Sequence, residues 1–99
     1  MDISVIIPLL NENDSLSELH SSIEKVMSSN SYSYEVIFID DGSIDNSWDI
    51  ISRLSKENQF VKGIRFFKNY GKSQALHIGF LKAKGDVVFT MDADLQDDP

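Results

Sequence analysis

The last fourteen residues read Asp86-Val87-Val88-Phe89-Thr90-Met91-Asp92-Ala93-Asp94-Leu95-Gln96-Asp97-Asp98-Pro99. Residues 87–91 are apolar, β-branched or aromatic, which predicts a short strand buried on both faces of a sheet. Four aspartates follow within seven residues. So many carboxylates must be either solvated or neutralised by a cation. The composition of this ending leaves a solvated acidic turn and a cation site both open.

The spacing of the acidic residues favours a cation site. Asp92 and Asp94 point the same way if the segment is extended, because side chains alternate along a strand. We therefore expect them to converge on one hard divalent cation, with the amide oxygen of Gln96 as a third ligand. A cation held by two carboxylates keeps positions open for water or substrate phosphates.

Three apolar segments upstream also predict strands, at residues 3–10, 35–39 and 60–67. Pro8 cannot donate to a sheet ladder, so the first strand is expected to end near it. A polar loop follows each segment.

Amphipathic helices are predicted between the strands. The first begins with capping-box spacing at Ser15 and Glu18, and Asp45 is expected to cap the second. The third is predicted over residues 72–84, with Gly85 as its C-terminal cap. This alternation predicts an α/β fold with three layers, α/β/α, around a mainly parallel, Rossmann-like sheet. In such sheets the ligand lies beyond the carboxyl ends of the strands, where all the polar loops meet.

Composition limits the class of protein. With 41% hydrophobic and 25% charged residues, the chain fits one globular unit over residues 1–99. A net charge of -7 argues against nucleic acid as a partner, because no basic patch would neutralise its phosphates. The absence of cysteine excludes disulfides and thiolate zinc sites and is compatible with a cytoplasmic location. Neither a signal-peptide pattern nor an apolar run of about 18 residues is found.

Common nucleotide and calcium motifs do not match. A dinucleotide fingerprint needs glycines after the first strand, and residues 8–14 contain none. Gly71-Lys72-Ser73 matches the second half of a P-loop, but Phe66 stands where its first glycine is required. An EF-hand loop starting at Asp92 would need glycine where Asp97 stands. A phosphoacceptor receiver domain stays open on paired acids alone, although its acids lie on different strands.

Four motifs together carry a family resemblance. They are residues 5–12 (VIIPLLNE), 38–45 (FIDDGSID), 69–76 (NYGKSQAL) and 91–99 (MDADLQDDP). In this order and spacing they resemble family 2 glycosyltransferases, and most closely the branch of dolichyl-phosphate mannose synthases and bacterial polyprenyl-phosphate glycosyltransferases. Leu10 departs from that branch, which usually carries tyrosine there.

The resemblance implies a fold, a donor and a set of site residues. The fold would be the N-terminal half of GT-A, with strand order 3-2-1-4, and the donor a UDP- or GDP-sugar. Mg or Mn would bind at the Asp-x-Asp motif through Asp92, Asp94 and Gln96. The implied nucleotide-binding residues are Pro8, Leu10, Glu12, Ile39, Asp40, Asp41, Asp92 and Ala93. Lys72 is expected to be a surface lysine rather than a phosphate contact.

The resemblance also implies a reaction. The sugar would be transferred with inversion to an acceptor, a polyprenyl or dolichyl phosphate. That phosphate is largely ionised, since its second pKa is about 6, and needs little help from a base. No residue is identified as a catalytic base, and Asp92 and Asp94 would act through the metal. The alternative is a non-catalytic nucleotide- or cation-binding module of the same fold.

Members of the family have a catalytic domain about twice this length. We therefore expect residues 1–99 to be its nucleotide-sugar-binding half, truncated after the Asp-x-Asp motif and inactive alone. Contact with a membrane would come only through a missing C-terminal part, placing the whole protein at the cytoplasmic face. Apolar surface left uncovered on such a fragment predicts self-association.

Overall fold

Strands and helices alternate from Ile3 to Thr90, as predicted. The structure is a computed structural model and describes residues 1–93. Its elements are β1 (Ile3–Leu9), α1 (Leu16–Ser29), β2 (Tyr34–Asp40), α2 (Ser47–Glu57), β3 (Val61–Arg65), α3 (Lys72–Lys82) and β4 (Val87–Thr90). Within this part of the chain, no helix is long and apolar enough to cross a membrane.

The four strands form one parallel sheet in the order β3-β2-β1-β4, which confirms the predicted order. From β1 the chain adds β2 and β3 on one side and then returns to place β4 on the other. The direction of winding therefore reverses between β1 and β4. In open α/β sheets a reversal of this kind opens a crevice at the carboxyl ends of the two strands.

The two central strands, β1 and β2, are covered on both faces, which confirms the three layers. Alternate residues of β1 and β2 point to opposite faces. On one face Val5, Ile7 and Phe38 pack with α1 and α2. On the other, Ile6 and Ile39 pack with α3. Gly79 lets α3 approach closely, because a Cβ there would lie 2.4 Å from Ile6 Cγ2.

The prediction that the last strand is buried on both faces is wrong. Val87 and Phe89 of β4 remain 50% and 51% exposed. β4 lies at the edge of the sheet and pairs only with β1, while α3 packs against β1 and β2. An apolar run predicts a strand, but its burial depends on which neighbours cover it.

The helix ends also differ from the predicted caps. Ser15 precedes α1 but makes no side-chain capping bond. Asn46 rather than Asp45 stands immediately before α2, but the Asp45 carboxylate accepts the N–H of Ser47, the first residue of that helix. The cap of α3 is Ala83, not Gly85. Gly85 has a different role: a Cβ at this position would lie 2.5 Å from the backbone nitrogen of Ser4.

Pro8 lies inside β1, where its lack of an N–H is harmless. The Ile6 carbonyl accepts the last hydrogen bond from the β4 side, donated by the Met91 N–H. Pro8 faces the same side two residues further on, beyond the paired part of β4. The strand ends one residue later, as the proline predicts.

Candidate functional site

A cavity of about 490 Å³ lies at the carboxyl edge of the sheet, where the winding reverses between β1 and β4. This volume is in the usual range for small-ligand sites. The lining residues are Pro8, Leu9, Leu10, Glu12, Asp41, Asn69, Gly71, Lys72, Asp92 and Ala93. The ends of β1 and β4, the loop after β2 and the N-terminus of α3 therefore meet around it.

Most residues assigned from the resemblance line this cavity. Those that do are Pro8, Leu10, Glu12, Asp41, Asp92 and Ala93. Ile39 and Asp40 are fully buried and are not among the lining residues. Asp94 and Gln96, assigned to the metal, lie outside the described residues. Asn69, Gly71 and Lys72 also line the cavity. They belong to the polar loop after the third strand and to the motif of residues 69–76, but no role in the site was assigned to them from the sequence.

Asp40 organises the turn that follows β2. Its Oδ1 accepts a hydrogen bond of 2.7 Å from the Ser43 N–H. Its Oδ2 is buried without a hydrogen-bond partner in residues 1–93. Buried polar atoms are normally paired. The bond to Ser43 therefore stabilises the turn, whereas burial of the unpaired Oδ2 lowers the free energy of unfolding.

The loop after β1 is tied to the loop after β2. The Asn11 N–H donates to Ser43 Oγ at 2.8 Å, and Asn11 Oδ1 accepts from the Ile44 N–H at 2.9 Å. The Glu12 N–H donates to Ser47 Oγ at 3.0 Å. Asn11 has a φ of 56°, a left-handed conformation that asparagine tolerates. These bonds fix the backbone at Leu10 and Glu12, the two lining residues on either side of Asn11.

Asp45 adds a further tie between the same loops. Its carboxylate accepts the Ser47 N–H at 2.8 Å and the Asn13 N–H at 3.3 Å. Burial acts to raise the pKa of Asp45, but the hydrogen bonds from Ser47 and Asn13 outweigh it and lower that pKa. Asp45 is thus a charged acceptor within the loop framework.

Asp41 holds the start of α3. One of its oxygens accepts the Tyr70 N–H at 2.7 Å, and the carboxylate also accepts the Gly71 N–H, at 3.0 Å to Oδ2. Gly42 lets the two loops touch: its φ is +87°, and a Cβ there would lie 2.6 Å from the carbonyl carbon of Lys68. Both carboxylate oxygens of Asp41 are therefore engaged with backbone on one wall of the cavity.

Asp92 and Lys72 meet across the cavity. Lys72 Nζ lies 2.9 Å from Asp92 Oδ1, and the two side chains are 64% and 70% exposed. Asp92 therefore offers an accessible carboxylate oxygen of the type that Mg²⁺ and Mn²⁺ bind. Residues 1–93 contain no group of three acidic, histidine or cysteine side chains that could hold a metal ion. Asp92 fits the predicted metal site, and its two assigned partners lie beyond the described range.

Curated relatives match nearly the whole chain. It is 44% identical over 98 residues to an undecaprenyl-phosphate 4-deoxy-4-formamido-L-arabinose transferase of Aeromonas hydrophila. The enzyme of the same name from Shewanella sediminis is 43% identical. In both cases the alignment covers 98% of this chain and 30% of the relative. The chain thus spans about a third of the length of these proteins.

Solved structures share the fold. Residues 1–349 of S. aureus TarS, in complex with UDP-GlcNAc, superpose with a TM-score of 0.78 at 25% identity, over 95% of this chain and 27% of that TarS chain. The Pyrobaculum calidifontis mannosyltransferase PcManGT, in complex with GDP-Man and Mn²⁺, superposes with a TM-score of 0.80 at 25% identity. That match covers 93% of this chain and 27% of the mannosyltransferase.

A family profile gives the assignment directly. The profile of glycosyl transferase family 2 matches residues 4–99, which include the whole cavity lining and every strand of the sheet except Ile3, the first residue of β1. Over the same residues the strand order and winding reversal are those that the sequence motifs imply. The chain belongs to glycosyl transferase family 2.

Proposed function

We propose that this chain is the donor-binding portion of a glycosyltransferase that moves a sugar from a nucleotide-diphosphate sugar to a polyprenyl phosphate. The observation that carries this proposal is the cavity between the ends of β1 and β4, lined by residues from all four family motifs. Relatives named for undecaprenyl phosphate support the acceptor class. Neighbours solved with UDP-GlcNAc and with GDP-Man and Mn²⁺ support the donor class and a divalent cation.

In this proposal the nucleoside lies along the wall formed by Pro8, Leu10, Glu12 and Asp41. The hydrogen bonds that tie the loops after β1 and β2 together hold this wall in place before the donor arrives. A prepared site loses less conformational entropy on binding than a flexible one. Ile39 and Asp40 support the wall from beneath, because both are buried.

The diphosphate is placed beside Asp92 and Ala93. A divalent cation held by Asp92, with Asp94 and Gln96, would stabilise the charge that develops on the leaving diphosphate. An ionised lipid phosphate attacking opposite that diphosphate inverts the sugar carbon. Since that phosphate is already an anion, the protein needs chiefly to hold the two substrates within reach.

Residues 1–99 are proposed to be inactive alone. They provide the donor side of the cleft, and catalysis requires donor and acceptor held together. Reaction with a membrane-held acceptor would place the whole protein at a membrane, and the face that we propose is the cytoplasmic one. The exposed apolar side chains of α3 and β4, among them Phe80, Leu81 and Phe89, support self-association of the fragment, which sedimentation velocity would detect.

A non-catalytic nucleotide-binding module is the second candidate. The observation that favours it is the engagement of both Asp41 oxygens with backbone, which removes this lining carboxylate as a base for a hydroxyl acceptor. Transfer separates the two candidates. Enzyme of the full family length should form labelled glycolipid from a labelled sugar nucleotide, Mn²⁺ and a short polyprenyl phosphate, whereas a module would bind the nucleotide and release it unchanged.

Amide chemical shifts test the location of the donor site. We expect UDP- or GDP-sugar with Mg²⁺ to shift the amide resonances of Leu10, Gly71 and Ala93, which line the cavity. A second cavity provides an internal control, because it lies at the amino ends of β1 and β4, beside Asp86 and Val87. Shifts confined to that second cavity, or no shifts with either nucleotide, would contradict the proposal.

A further inference from the structure

The contact between Lys72 and Asp92 is formed by the tertiary fold. Lys72 is the first residue of α3 and Asp92 lies just after β4, and their charged atoms are 2.9 Å apart across the cavity. The two residues are twenty positions apart in the sequence. The ammonium group of Lys72 therefore forms an ion pair with the Asp92 carboxylate, which is the carboxylate assigned to the metal.

Helix stability does not account for a lysine at this position. The N-terminus of a helix carries partial positive charge, which disfavours a cation in the first turn. The first turn of α3 contains no acidic residue that would offset this effect. Asp92 is the partner that the structure provides, and it belongs to another element.

The backbone that carries Lys72 is held in place. Asp41 accepts the N–H groups of Tyr70 and Gly71, the two residues immediately before Lys72. Gly71 has a φ of +102°, a conformation that glycine adopts readily. The start of α3 is thereby fixed relative to the end of β2, and Lys72 begins its side chain beside the cavity.

We propose that Lys72 is a built-in counter-cation, which neutralises Asp92 in the donor-free protein and competes with the divalent metal for that carboxylate. This inference rests on the proposed function, in which Asp92 holds the metal beside the diphosphate. A metal that binds alone must displace the ammonium group or sit next to it, and both weaken binding. A nucleotide diphosphate removes this obstacle, because its oxygens attract Lys72 and complete the metal shell.

The consequence is coupling between two ligands. If the diphosphate draws Lys72 away from Asp92, nucleotide increases the affinity for metal. Metal must then increase the affinity for nucleotide by the same factor. Lys72 thus makes the protein bind the two ligands together rather than the metal alone.

Manganese alone is the probe for the first test, with free Mn²⁺ measured by its electron paramagnetic resonance signal. Lys72→Met removes the charge and keeps most of the side-chain length. We expect it to bind Mn²⁺ about three- to fivefold more tightly than the unmodified protein, the upper part of the range that exposed ion pairs give. Asp92→Asn in the Lys72→Met background should abolish this gain.

Lys68→Met is the matched control. Lys68 is an exposed lysine in the loop just before α3, and it does not line the cavity. Its Nζ lies 5.5 Å from the Tyr70 ring centroid. The Lys68→Met substitution changes the net charge by the same amount as Lys72→Met, so Mn²⁺ affinity should stay within about twofold of the unmodified value. Equal gains in both variants, or no Mn²⁺ binding in either, would overturn the proposal.

A second titration measures the coupling itself. The factor by which UDP or GDP strengthens Mn²⁺ binding should be smaller in Lys72→Met than in the unmodified protein, and an unchanged factor would contradict the role of Lys72. Failure of the proposed function has a different signature. In that case no sugar nucleotide would bind to any variant, while the comparison with Mn²⁺ alone would still give its result.

Discussion

Asp40 and Asp41 are adjacent in sequence and differ in what their carboxylates do. Asp40 supports the turn after β2 through the Ser43 N–H, and its other oxygen has no hydrogen-bond partner in residues 1–93. Asp41 has both oxygens engaged with the loop before α3. Within the Asp-Asp pair of the family motif, Asp40 therefore stabilises the turn after β2, and Asp41 joins the end of β2 to the start of α3, the helix that carries Lys72.

Replacement of Asp41 tests this role at the scale of one residue. Asp41→Ala should lower the free energy of unfolding by about 2 kcal/mol, because two backbone N–H groups lose a charged acceptor. Urea unfolding followed by Trp48 fluorescence measures this loss. Hydrogen exchange at the Tyr70 and Gly71 amides should accelerate more than elsewhere in α3.

Asp14→Ala is the control for that experiment, since Asp14 is exposed in the loop before α1. It should change the unfolding free energy by no more than about 0.5 kcal/mol. If Asp41→Ala behaves like this control, and the Tyr70 and Gly71 amides exchange at unchanged rates, the carboxylate does not hold the loop.

At the scale of elements, β4 is fixed at the end of the sheet remote from the cavity. Glu35 of β2 is fully buried there and accepts from Ser4 Oγ at 2.6 Å, Lys62 Nζ at 2.7 Å and the Lys84 N–H at 2.7 Å. The Gly85 N–H donates to Ser4 Oγ at 2.8 Å. One carboxylate therefore joins β1, β2 and β3 to the connection that leads into β4.

This network predicts how stability depends on pH. Burial acts to raise the pKa of Glu35, but the hydrogen bonds from Lys62, Ser4 and the Lys84 N–H outweigh burial and lower that pKa. A carboxyl with a lowered pKa stabilises the fold above its unfolded pKa of about 4.3, and this contribution is lost as the pH falls through the folded value.

Glu35→Gln should therefore be less stable than the unmodified protein by about 2 kcal/mol near neutral pH, because its amide nitrogen would face a donor. The difference should shrink as the pH is lowered from about 5 to about 3, measured by urea unfolding at each pH. Glu24→Gln, an exposed change on α1, should show neither effect. A constant difference at all pH values would contradict ionisation of Glu35 as the cause.

The sequence predicted the elements better than their surroundings. Apolar runs such as residues 35–39 locate the strands because a central strand is apolar on both faces. The exposure of Phe89 was not predictable in this way, because an edge strand can have the same apolar composition as a central strand. The capping role of Ser15 failed for a similar reason: spacing permits a bond but does not require it.

The cavity was predictable in position and only partly in detail. Polar loops at the carboxyl ends of parallel strands locate it. The spacing of the acidic residues pointed to Asp92, and the family resemblance assigned Glu12. The contacts of Asp41 with Tyr70 and Gly71 join residues almost thirty positions apart, and no local pattern contains that information. Lys72 was predicted to be a surface lysine, and it is exposed, but only the fold shows that it meets Asp92.

At the scale of the whole molecule, we propose that Asp92 links a divalent cation to the nucleotide diphosphate in the cavity between β1 and β4. Asp86 provides a matched comparison, because it is an exposed aspartate just before the other end of β4. Asp92→Asn and Asp86→Asn change the charge equally, and only the first alters the cavity.

Calorimetric titration with UDP-GlcNAc and with GDP-mannose, in the presence and absence of Mn²⁺, measures donor affinity and tests this role of Asp92 most directly. We predict Mn²⁺-dependent binding of at least one sugar nucleotide to the unmodified protein and to Asp86→Asn. Affinity should fall at least about tenfold in Asp92→Asn, the change that a loss of about 1.4 kcal/mol produces. Equal affinity in Asp92→Asn and Asp86→Asn, or binding that does not depend on Mn²⁺, would contradict the claim.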